Sequence, residues 1–355
     1  MKRFFFIAAI AGAALASCTK TEVAPVAEKA ISFAAPVVGP QTKAVYGEIP
    51  TAYNENEQFA VYAVHSQGNY TTWGASTLYM GTTGEGLTVL KATGENYWAP
   101  TTPYYWPKEG KLSFAAYSPA DVNGEIAYDA NGLSVEGHEV SSDITEHVDF
   151  LYAPRVLNYT ASTVAGGDEA NDDDTQYKYD GVNILFKHAL SSIVFQVARD
   201  AQIDENTVIT LNKITLNQPN CVANFNETIT DGAEYAAVPA WSEWSTPKDL
   251  ETYNTPVAIT TTHTEYVKKV DDKAADIIVI PQVLSSNVKV TLDYDITTPG
   301  NHTVNQVTSV QLNGFTTQWL MGMRYTYKIT IGLDEIKFDP AVTDWVDATV
   351  PGITI

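Results

Sequence analysis

One short stretch combines a reactive side chain with the context that would make it react. Leu15-Ala16-Ser17-Cys18 places a thiol after two small residues and an apolar run, 4–16, that itself follows Lys2 and Arg3. A positive head, an apolar run and small residues before a cut describe an export signal. The run is too short to cross a bilayer, which takes about 20 apolar residues. Leu-Ala-Ser-Cys resembles the bacterial lipobox, in which the Cys thiol is diacylated and the chain is then cut just before it. Cys18 is therefore the expected lipidation site and residues 1–17 the expected signal peptide. Two or more acyl chains hold a protein stably on a membrane, because each buried methylene contributes about 0.8 kcal/mol. The competing reading is an ordinary secretory signal with an incidental Cys.

The other reactive residues carry weaker signals. Lys43 followed by Ala44 offers the cation and the small residue that a trypsin-like protease accepts, just after Pro36, Gly39 and Pro40. Proteases need an extended and accessible segment, and the Pro and Gly residues before Thr42 supply one. His188 lies between two apolar stretches with no HExxH and no Cys or carboxylate at ligand spacing, and reads as a hydrogen-bonded structural residue. His138 and His147 sit among polar residues and read as loop positions. Asp168, Glu169, Asp172, Asp173 and Asp174 crowd one loop, but lack the alternation and central Gly of an EF-hand. Trp241 and Trp244, with Trp73, could stack on sugar rings; aromatic residues of β-rich proteins more often close a core edge. There is no Gly-x-Ser-x-Gly, no phosphate-cradling glycine loop and no evident acid–base carboxylate pair. No catalytic residue, metal ligand or cofactor is assigned, and no enzymatic activity is expected.

The elements that must carry these residues are strands. The mature chain would have 338 residues (355 less 17), enough for two domains with a sizeable core each. Loss of Lys2 and Arg3 takes the formal charge from −21 to −23, which disfavours nucleic acid and anionic headgroups as partners. After Cys18 only Cys221 remains, so no intramolecular disulfide can form. Tyr, Thr and Val are abundant, as on pleated, half-buried surfaces. Residues 288–296 alternate Val288, Val290, Leu292, Tyr294 and Ile296 with polar residues, and 325–333 repeat the pattern from Tyr325 to Leu333. Period two over nine residues predicts a strand with one face in a core. Further strands are expected at 31–34, 58–64, 112–117, 149–153, 182–186, 192–197 and 277–281. No amphipathic helix longer than about 10 residues is expected. The predicted organisation is a tether at 18–30, an N-terminal β-sandwich at 31–180 and a C-terminal β-sandwich at 181–355, with the acidic loop near the junction.

Several stretches resemble one family. They are Tyr105-Trp106-Pro107 with the run 112–119, Phe186-Lys187-His188-Ala189-Leu190-Ser191, Ile280-Pro281-Gln282, and 319–327 leading to Ile336-Lys337-Phe338 and Trp345. Their order and spacing over 31–355 resemble the fimbrillins, the pilin-like lipoproteins of type V fimbriae. The resemblance implies an all-β chain of two tandem transthyretin-like β-sandwiches. It implies a lipoprotein of the outer membrane, displayed on the cell surface in a fimbrium. It also implies polymerisation by donor-strand exchange after a protease removes the first strand. The family's cut follows a basic residue in a Thr-Arg/Lys-Ala setting, here Thr42, Lys43 and Ala44. The expected donor strand is 345–355, beginning at Trp345, with Val346, Ala348 and Val350 on one face. The expected partners are other fimbrial subunits through β-strand addition and the outer membrane through the lipid; a host or bacterial surface ligand fits an adhesin role. Two alternatives stay open: a surface glycan-binding lipoprotein, and a non-polymerising fimbrillin-like anchor.

Overall fold

The computed structural model describes residues 30–34, 36–39, 51–52, 58–91, 97–161, 181–230, 236–270, 273–333 and 336–345. Cys18, Lys43, Ala44, the acidic loop and residues 346–355 lie outside them. The described chain is almost wholly β, and its helical structure is confined to short turns such as Trp73–Ala75 and Ile144–Glu146.

Period-two alternation builds the core of the second half. Met323–Ile331 buries Tyr325, Tyr327, Ile329 and Ile331 and turns the residues between them outward. It pairs in parallel with Ser191–Arg199 and antiparallel with Ile336–Asp344. A second sheet faces it, in the order Leu250–Tyr253, Val208–Asn217, Lys289–Thr298, His302–Gln311. Leu211, Leu216, Val290 and Leu292 of that sheet share one apolar cluster with Phe195, Val197, Tyr327 and Ile329 of the first. Trp319 closes the cluster, 1% exposed, its Nε1 donating to the Tyr327 hydroxyl at 3.0 Å.

In the first half a ten-stranded sheet runs through Phe59–Ser66, Lys111–Ser118 and Leu151–Tyr159. These three strands are its centre; Phe59–Ser66 and Lys111–Ser118 are buried along both faces, as strands covered on both sides must be. One face of the sheet buries Phe33, Phe59, Phe114, Trp98 and Phe186. The other buries Tyr62, Tyr117 and Tyr152 against a four-stranded sheet, whose Tyr128 stacks on Tyr62. That second sheet takes Glu125–Asp129 and Gly132–Glu139 from the first half and the hairpin Asn220–Thr230, Ala236–Pro247 from the second. The chain therefore returns to the first core after starting the second one. Trp241 of the hairpin is 7% exposed and donates from Nε1 to the Ala189 oxygen at 2.6 Å.

Gly132–Glu139 contains His138, which is 4% exposed inside a strand rather than in a loop. Gly137 has φ +69° and the register shifts between Val135 and His138, so a bulge turns the ring inward.

Candidate functional site

The residues that meet in a functionally suggestive way begin at the N-terminal end of the described chain. Phe33–Ala34 pairs antiparallel with Tyr97–Pro100, Phe33 opposite Trp98 and Ala34 opposite Tyr97. The Ile31 amide donates to the Tyr104 oxygen on the same flank. On the other flank, Ala34 N–H donates to the Val182 oxygen and Val182 N–H to the Ser32 oxygen. The chain continues into Val37–Gly39, which runs parallel to Leu185–His188, Val38 opposite Phe186. Thr51–Ala52 pairs along the other side of Val37–Gly39. Residues 30–34 and 36–39 thus form an inserted segment of two short strands, each bonded on both flanks.

Side chains key this strand into the core. Ile31 is 1% exposed and Phe33 is fully buried. The Phe33 ring meets Phe59 and Phe114 edge-on, with centroids 5.8 and 5.7 Å away. Phe59 in turn packs against Trp98 and Phe186, each at 5.6 Å. Burying one such side chain contributes about 1.5–3 kcal/mol. Gly181 permits the close approach: a Cβ there would stand 2.4 Å from the Ala34 nitrogen. Taking the strand away would leave two rows of unpaired backbone groups and apolar holes at the sites of Ile31 and Phe33.

His188 and Trp345 come together where the two halves meet. His188 is 1% exposed, and its Nδ1 lies 2.5 Å from Asp149 Oδ2. Its ring stacks on Trp345, 2% exposed, at 4.0 Å between centroids. Trp345 N–H donates to the Gly322 oxygen, and Gly322 N–H to the Leu190 oxygen. The chain therefore leaves the described structure, toward 346–355, from a fixed point beside the inserted strand's parallel partner.

Sequence reasoning missed a buried polar cluster between the two sheets of the first core. Arg155, 3% exposed, donates from Nε to the Tyr128 hydroxyl and from Nη1 to the Tyr70 hydroxyl, both at 2.6 Å. Its guanidinium also lies over the rings of Tyr70, Tyr128 and Trp73 at 4.9, 5.1 and 5.6 Å. Glu227 is 2% exposed and accepts from the Leu133 amide at 3.4 Å. Burial pushes its carboxyl up to about 7. Burial also drives His138 down to about 4 and the Cys221 thiol up to about 11, so that thiol is protonated and inert at neutral pH. The signal in sequence was an Arg inside an otherwise apolar strand.

None of this assembles reactive chemistry. A cavity of about 350 Å³ opens beside His138 and His147. His147 already uses both ring nitrogens, Nε2 with the Ser141 oxygen and Nδ1 accepting from the Ile278 amide. Among the described residues no group of three or more His, Cys, Asp or Glu could hold a metal ion, and no helix is long and apolar enough to cross a membrane. Trp241 is buried and Trp73 covers Arg155, leaving Trp244 alone of the three exposed, at 42%.

The family model for fimbrillin-like proteins matches residues 42–345. The chain belongs to the fimbrillin-like family. Its fold agrees with solved structures. A fimbrial protein from Bacteroides vulgatus superposes with a TM-score of 0.52 at 17% identity, covering 89% of this chain and 100% of that one. A candidate cell adhesion protein from Bacteroides uniformis superposes with a TM-score of 0.50 at 16% identity, covering 89% and 99%. At such identities the likeness is one of fold. A search of curated proteins returns no match. Membership in the fimbrillin-like family groups the chain with fimbrial proteins and not with enzymes.

Proposed function

We propose that this fimbrillin-like chain is a structural subunit or adhesin of a cell-surface fimbrium, and that it assembles by donor-strand exchange. Export as an outer-membrane lipoprotein through Cys18 precedes assembly. In this reading the two halves are transthyretin-like β-sandwiches divided near residue 181, the hairpin of 220–247 completing the first. One observation carries the reading: residues 30–34 and 36–39 are bonded on both flanks and keyed by Phe33, yet end four residues before Lys43.

The mechanism follows from that position. Cutting after Lys43 separates both the lipid and the inserted strand from the rest of the chain, because both lie on the N-terminal side. The new chain begins at Ala44 with an open groove. Strand addition fills such a groove, backbone bonds supplying affinity and alternating side-chain sites supplying register. The proposed donor is 345–355 of another subunit, whose root is the Trp345 clamp. Val346, Ala348 and Val350 share a face, and Pro351 must fall at an edge or bulge. Anchoring and polymerising then exclude one another within one molecule.

The test is Lys43→Ala in cells that display the protein. The proposal expects the variant to stay anchored and monomeric while wild type enters fibres; variant protein found in fibres would refute it.

A further inference from the structure

The strand His302–Gln311 ends its sheet, and among the described residues nothing pairs with its outer side. It runs ten residues against Lys289–Thr298 without a break in register. A long free edge invites another strand, and folded proteins blunt such edges with charges, prolines or bulges. This molecule does so at its other long sheet ends. Ala236–Pro247 carries Pro239, Glu243 and Pro247 and a register shift; Ile336–Asp344 carries Lys337, Asp339, Pro340 and Asp344. His302–Gln311 (HTVNQVTSVQ) has no proline, no bulge and no Asp, Glu, Lys or Arg, in a chain with 42 acidic and 21 basic residues. It also exposes Val304 and Val307, at 55% and 63%.

We infer that this edge recognises itself: two copies of the chain join antiparallel along His302–Gln311 into one continuous sheet. Charge favours a second copy here. Two chains of formal charge −21 repel one another, but along this strand no like charges are set opposite. Asp293 and Asp295 lie one strand further in, where the Asn305 amide donates to both at 2.8 and 2.9 Å. Across the junction the two copies of that group stand three strand spacings, about 14 Å, apart, beyond a Debye length of about 8 Å. Register also fits. Consider alignments that keep both core faces on one side of the joined sheet. The one that sets Val307 opposite its own copy also sets Val304 opposite Val310, and Asn305 opposite Ser309. Every valine of the strand then meets a valine, and Val304 covers Val310, which already packs on the core. The segment 346–355 is a poorer occupant, since Asp347 brings a charge and Pro351 lacks an N–H. Such a contact closes after one pair. It joins subunits side by side and leaves the groove of residues 30–39 untouched.

The test is sedimentation equilibrium on the full chain, confirmed uncut by intact mass so that the outcome does not depend on processing. The expected result is a concentration-dependent dimer. Val307→Lys, which sets two ammonium groups face to face, should weaken it at least about tenfold without lowering the melting temperature. Leu320→Lys, at an exposed apolar residue elsewhere, should leave it unchanged. In a Cys18→Ala background, Val307→Cys should yield a disulfide-linked dimer on mild oxidation. A chain that stays monomeric to about 0.5 mM overturns the inference, as does a dimer indifferent to Val307→Lys. So does a synthetic 346–355 peptide that binds the monomer and is lost on Val307→Lys.

Discussion

The rings of His188 and Trp345 lie face to face, 4.0 Å apart and 11° from parallel. One residue ends the strand beside the inserted N-terminal segment; the other is the last described residue and the first of the proposed donor. The stack fixes where the C-terminal segment departs relative to the groove. Trp345→Ala should destabilise the chain by about 3–5 kcal/mol, as loss of a fully buried indole does. His188→Gln should cost about 1–3 kcal/mol through the lost bond to Asp149. Urea denaturation of both variants checks these values. Unchanged midpoints would mean that the clamp contributes nothing.

Phe33 tests the groove in isolation. Phe33→Ala removes the ring that meets Phe59 and Phe114, and should cost the intact chain about 3–5 kcal/mol. After cleavage at Lys43 and loss of the N-terminal peptide, variant and wild type should melt alike, because the residue has left with the strand. A persistent difference would place the effect of Phe33 elsewhere.

Gly181 should act on the same strand from its flank. Gly181→Val brings a Cβ to 2.4 Å from the Ala34 nitrogen, and the atoms it meets are all backbone of Phe33 and Ala34, which leaves little room to give. The strand 30–34 should loosen first. The expected result is faster trypsin cleavage of the native chain at Lys43 than in wild type, measured by mass of the products. An unchanged rate would show that the strand does not depend on this approach.

Glu227 makes stability depend on pH. Burial raises its carboxyl from 4.5 to about 7 in the folded chain, so the folded state holds a proton that the unfolded state has lost. Its contribution is fully present below pH 4.5 and is lost as pH rises through 7, an effect of about 3 kcal/mol. His138, pushed down to about 4, works oppositely, costing stability as pH falls below 6.5. The comparison must therefore be with Glu227→Gln, which removes one component. The variant should gain on wild type by up to about 3 kcal/mol between pH 5 and pH 8. A constant difference across that range would contradict the assignment.

Much of the fold was legible because its strands alternate. The runs at 288–296 and 325–333 correspond to Lys289–Thr298 and Met323–Ile331 with the expected faces inward. The hairpin of 220–247 was not legible. Asn220–Thr230 turns Cys221, Ala223, Phe225 and Glu227 inward, and three of these are small or charged, so hydropathy hides the period. His302–Gln311 buries no residue fully, only Thr308 and Val310 being half-buried, and is a strand because Lys289–Thr298 pairs with it. At the site, the strand at 31–34 could be read locally. Its parallel partners at 182–187 could not, since parallel pairing across some 150 residues leaves no turn signal nearby. Arg155 shows the same limit: the three rings that house it come from Tyr70, Trp73 and Tyr128, far away in sequence.

Lipidation can be checked by partitioning. Cys18→Ala should leave the protein in the aqueous phase of a detergent extraction, where wild type enters the detergent phase. Equal partitioning would remove the lipid from the account.

The most direct measurement is the N-terminal residue of subunits inside assembled fibres, read by mass spectrometry of surface-released material. The account predicts Ala44, with no peptide from residues 30–39 retained in the fibre. Fibres built of subunits that still carry Phe33 on an uncut chain would contradict it.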